Sequence, residues 1–159
     1  MSVMTIYEQA PIGALIAWTD GTRRPPKRNF YLYCEWLFHN NRGRLVRTQG
    51  ERGSGNPGMS PAITLLRGDF TEAGVVANSS LYTFHIDYPL RFTIVERPPI
   101  GSVRVFDRPG RDAELVYLAC GRAEAEHWVA VEGDRYPDPV FEEVTADEVA
   151  AAVVEGRMV

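Results

Sequence analysis

Apolar positions along the chain alternate with polar ones more often than they recur at helical spacing, and the elements this predicts are mostly strands. From Leu81 to Tyr88, Tyr82, Phe84, Ile86 and Tyr88 share one face, with Thr83, His85 and Asp87 on the other. Pro89 interrupts the run, and Leu90, Phe92 and Ile94 resume the inward pattern up to Pro98 and Pro99. Ile12 to Trp18, closed by Asp20 and Gly21, reads as another strand, as does Ala62 to Leu66. Val103 to Phe106, Glu114 to Cys120 and Glu126 to Val131 extend the meander. Phe30 to Phe38 is aromatic-rich and bounded by turn formers. Read as a strand, it places Phe30, Leu32, Cys34, Trp36 and Phe38 on one wholly apolar face and so in the core. Residues 39–43 then read as a turn, and Arg44 to Thr48 as the returning strand of a hairpin.

The C-terminal stretch departs from this rhythm. Thr145 to Glu148 has the capping-box spacing, in which the Thr hydroxyl and the Glu carboxylate satisfy free backbone N–H groups. The Ala and Val residues from Val149 follow in helical register, with Gly156 placed to close a short helix. The expected class is therefore mainly β: an antiparallel sheet, sandwich or partly open barrel of about seven to nine strands, with one short C-terminal helix. An α+β arrangement is the alternative, if Glu72 to Ala77 or the N-terminus is helical.

At 159 residues the chain fits a single domain, 1–159, large enough to bury a core without disulfides. The Gly-rich stretch at about 50–61 reads as a flexible loop. It contains the spelling G-x-G-x-x-G from Gly53 to Gly58, but Pro57 sits inside the motif and a strand-like run follows. The helix that would hold a pyrophosphate is missing, and no cofactor is expected. No apolar run approaches the ~20 residues of a membrane span, and the N-terminus lacks an export signal. A cytoplasmic protein with no membrane partner is the expectation. Cys34 and Cys120 are then reduced thiols, and their spacing to His39, His85 and His127 forms no zinc motif.

Charge changes the picture most. Sixteen of the seventeen cations are arginine, which suggests a GC-rich bacterial source. Residues 1–60 carry eight cations and four anions, whereas the rest of the chain is strongly acidic and brings the total to −4. Arg23, Arg24, Lys27 and Arg28 crowd one loop held extended by two prolines. If Arg42, Arg44 and Arg47 converge on it beside Tyr31 and Tyr33, the surface combines charge with stackable rings. That face suits an acidic protein partner. Nucleic acid fits less well, because the chain as a whole is acidic. Trp18, Tyr33, Tyr82 and Tyr136 are the candidate exposed anchors.

Two functional classes follow. The first is a non-enzymatic protein-binding regulator or inhibitor acting through charged loops, of which a phage- or plasmid-encoded anti-defence (anti-CRISPR-like) protein is one concrete version. The second is a small enzyme or ligand-binding barrel. It would use Cys120 as nucleophile, with His85 held by Asp87 two positions away, or a pair of carboxylates from the acidic run Glu124 to Glu148.

Overall fold

A computed structural model describes residues 1–50, 60–67 and 80–157, with side chains to 153. The expected loop at about 50–61 and the candidate helix at 72–77 fall largely or wholly outside these residues. The described residues form eight strands in two antiparallel sheets, together with a short C-terminal helix, and neither sheet closes into a barrel. The first sheet has five strands: β1 (Leu15–Thr19), β2 (Asn41–Gln49), β3 (Ala62–Arg67), β4 (Ser80–His85) and β5 (Arg91–Glu96), in the order β4-β3-β2-β1-β5. The second has β6 (Val103–Phe106), β7 (Leu115–Ala119) and β8 (Val140–Glu143), in the order β7-β6-β8. No helix among the described residues is long and apolar enough to cross a membrane.

The core of the first sheet follows the alternation in the sequence. Ile16, Trp18, Leu45, Ile63, Leu65, Phe84 and Phe92 are buried together, with Tyr82, Ile86, Tyr88 and Ile94 packed against them. Trp18, named above as an exposed anchor, is in fact a core residue, because its strand parity places it among Tyr82 and Phe84 at ring separations near 5.5 Å. A bulge opposite β3 falls between Leu45 and Arg47, and Arg44, Leu45 and Val46 are buried in succession.

The lid on this core is α1 (Val3–Gln9), the N-terminal helix of the α+β alternative. Ser2 starts it by accepting a hydrogen bond from the Thr5 N–H, as N-caps do. Val3 and Ile6 have no exposed surface, and burying two such side chains stabilises the fold by ~1.5–3 kcal/mol each.

The second sheet packs on α3 (Arg122–Glu132), which corrects the strand expected over Glu126 to Val131. Alanines at 123, 125 and 130 favour a helix. Arg122 and Glu126 pair one turn apart, Ala125 is buried, and Trp128 stacks on Tyr117 at 5.0 Å. The C-terminal helix α4 (Ala146–Arg157) realises half of the expected capping box: the Glu148 N–H donates to the Thr145 hydroxyl, but the Glu148 carboxylate is taken by Arg104, and the helix runs past Gly156. Arg104, 1% exposed, ties the parts together. Its Nε donates to the Ile12 carbonyl at 2.6 Å ahead of β1, and its guanidinium spans Glu142 on β8 and Glu148 on α4.

The largest correction concerns Phe30 to Phe38. This stretch is not a core strand but the helix α2 (Phe30–His39), inserted between the neighbouring strands β1 and β2. A run with eight apolar residues in ten has no period that separates strand from helix. Here the tertiary context decides. The β1–β2 ladder already closes at Trp18 and Asn41, so the intervening residues need only span its end. Residues 39–43 are accordingly the end of a helix and the start of β2, not a hairpin turn.

Candidate functional site

The insertion between β1 and β2 is fastened to the sheet by one polar hub. The Asn40 amide accepts from the Thr19 hydroxyl at 2.7 Å and from the Asp20 N–H, and it donates to the Asp20 carboxylate and the Trp36 carbonyl. Asp20 in turn accepts from the Thr22 N–H at 2.9 Å and its hydroxyl at 2.6 Å, and these bonds hold its carboxyl at a pKa of about 2. Gly21 sits at φ +79°, a conformation that disfavours any side chain. The indole N–H of Trp18 donates to the Phe38 carbonyl and that of Trp36 to the Thr22 carbonyl, tying both ends of the insertion.

None of the residues of α2 is buried. Tyr33, Trp36 and Leu37 are half-buried, whereas Phe30 is 74% exposed, Tyr31 82%, Leu32 53% and Phe38 42%. The helix is thus an apolar ridge in solvent, of the kind that marks interaction sites. Its first turn holds no acidic residue, and Asn29 gives it no side-chain cap. The positive end of its dipole therefore adds to the field of Lys27 and Arg28 just before it.

The expected basic cluster is only partly assembled. Arg23, Arg24, Lys27 and Arg28 are exposed on the loop leading into α2. Arg24 donates to the Tyr33 hydroxyl at 3.0 Å with its guanidinium 5.2 Å from the ring centre, which pins the loop to the helix. Tyr31 is exposed beside them. The other three arginines lie along β2. Arg42 is exposed at its start, near the end of α2, where Asn41 donates to the Leu37 carbonyl. Arg44 does not belong to the surface: it is buried and donates to the Gly13 carbonyl at 2.8 Å. Arg47 lies five residues beyond Arg42, roughly 15 Å along the strand.

An open cleft of about 360 Å³ separates the basic loop from one side of α2. Leu32, Glu35, Trp36 and His39, at helical spacing, form one wall, and Asp20, Thr22, Arg23 and Pro25 form the other. Asp20, Glu35 and Trp36 meet here only because residues 30–39 are helical, which a strand pattern does not reveal.

The candidate catalytic residues belong to different sheets. His85 ends β4 in the first sheet, and Asp87 follows in a turn, so the pair does not share a strand face. Cys120 is exposed after β7 in the second sheet. The Glu124 carboxylate accepts from the Tyr117 hydroxyl and the Cys120 N–H at 2.9 Å, and these bonds lower its pKa. Among the described residues no three His, Cys, Asp or Glu side chains converge as a metal site.

A family model described as "Uncharacterised conserved protein UCP036055" matches residues 1–148. No curated protein and no solved structure matches the chain. The match spans both sheets, α2 and the basic loop, and the chain belongs to the UCP036055 family.

Proposed function

We propose that this protein is a non-enzymatic regulator or inhibitor that binds another protein, docking α2 into an apolar groove bordered by carboxylates. The observation that carries the reading is an aromatic helix with no buried residue, tied by hydrogen bonds to the end of a sheet. Tyr, Trp and Arg are the residues that most often dominate binding energy, and all three occur on the insertion. Charge selects the occupant. From Asp20 to Arg42 there are five cations and two carboxylates, so two copies meeting through α2 would oppose like charge. An anionic bilayer would attract this end but repel the rest of the chain, which is acidic.

Placing benzoylphenylalanine at Tyr31 in the native cell tests the reading, with Ile100, exposed elsewhere, as the control position. The expected result is a light-dependent adduct at Tyr31 alone, mapping to a carboxylate-flanked apolar segment of one protein. The adduct should fall at least 10-fold when Arg23, Arg24, Lys27 and Arg28 are changed to Glu. An adduct with a second copy, a lipid or nucleic acid, or no adduct at all, overturns it.

A further inference from the structure

We infer that the cleft between the basic loop and α2 is a binding subsite for a guanidinium group, filled by an arginine side chain of the docked partner. This rests on the docking role proposed above and names what one part of that surface recognises. Its walls carry the parts such a pocket needs. Trp36 supplies an indole, Leu32 and Pro25 supply apolar sides for an alkyl stem, and Asp20 and Glu35 supply two carboxylates. Among the described residues, every hydrogen bond that Asp20 accepts goes to Oδ1, and Oδ2 is left to receive a donor. Those same bonds keep the carboxylate ionised and fixed in place.

The other ionisable groups of the cleft are Arg23 and His39. Arg23 is exposed and makes no ion pair with either carboxylate. His39 is turned back along the helix, its Nδ1 3.2 Å from the Glu35 carbonyl oxygen. The insertion already shows the contact in miniature, with Arg24 lying over Tyr33 and bonded to its hydroxyl. Arginine fits better than lysine, because a planar guanidinium can stack on an aromatic face and donate to carboxylate oxygens at the same time. Cations around an anionic slot also give the surface an alternating charge pattern, which fixes the register of a partner.

The test uses N-acetyl-L-arginine amide as probe and N-acetyl-L-citrulline amide as its uncharged match. Both are titrated while the indole N–H resonances of Trp18, Trp36 and Trp128 are followed by NMR. The arginine amide should shift the Trp36 resonance saturably and bind at least 5-fold tighter than the citrulline amide. Glu35→Gln, on the exposed side of the helix, should weaken that binding at least 3-fold with the melting temperature unchanged. Equal response to both probes, no saturable response, or a shift confined to Trp18 or Trp128 overturns the inference. The two proposals fail separately. An adduct at Tyr31 with no arginine response removes the subsite and leaves the docking helix. Arginine binding with no adduct removes the docking helix and leaves the subsite.

Discussion

Helices α1 and α2 are near neighbours in the chain and opposites in their treatment. The first has four apolar residues in seven, and two of them, Val3 and Ile6, are completely buried against the five-stranded sheet. The second has eight apolar residues in ten and buries none. Hydrophobicity therefore does not decide which helix belongs to the core. Position does: α1 lies across the open face of the sheet, where Ile16, Leu45 and Phe92 need a cover, whereas α2 is carried at the end of one strand pair. A fold that leaves its most apolar helix outside has a surface that costs solubility unless something covers it.

This contrast can be broken or sharpened by measurement. The largest difference should be in stability: Ile6→Ala should cost about 2–5 kcal/mol in urea unfolding, and Phe30→Ala less than ~0.5 kcal/mol. Comparable losses would mean that α2 is part of the core after all. Next, Arg104→Ala should cost about 3 kcal/mol, because it strands the Ile12 carbonyl and the Glu148 carboxylate together. Faster amide exchange in α4 should accompany that loss. A smaller effect is expected from Asn40→Ala, about 1–3 kcal/mol, with increased exchange confined to residues 20–40. The smallest concerns pH. The folded-state pKa of Asp20, about 2, lies below the ordinary aspartate value of 3.8, so its contribution is complete above about pH 4 and is lost as pH falls toward 2. Asp20→Asn should flatten that part of the stability profile, and an unchanged profile would show that the Thr22 and Asn40 bonds do not favour the carboxylate.

Where one face of a strand is buried and the other is wet, the sequence announces it. Tyr82 and Phe84 alternate with Thr83 and His85 and meet the core as the alternation requires, while the strand expected to Tyr88 ends at His85 and Ile86 reaches the core from a turn. The Thr145 hydroxyl cap was equally readable, since it acts locally, whereas the Glu148 carboxylate is drawn off to the distant Arg104. Phe30 to Phe38 misled because continuous hydrophobicity hides its own period, and because burial was inferred from composition. Arg104 and Arg44 gave no sign of being interior, since both satisfy carbonyls 31 or more positions away in the chain. The cleft was invisible for the same reason. Asp20 and Glu35 become neighbours only once the intervening residues turn back as a loop and a helix.

Trp18 and Asn41 face each other across the ladder at the point where the chain leaves and re-enters the sheet. The loop and helix between them thus leave and rejoin the sheet at one point, where a short Asn-Gly turn could join the same strands in their place. The two-sheet scaffold and the insertion would then be separable by design, and one could be varied in evolution without redrawing the other.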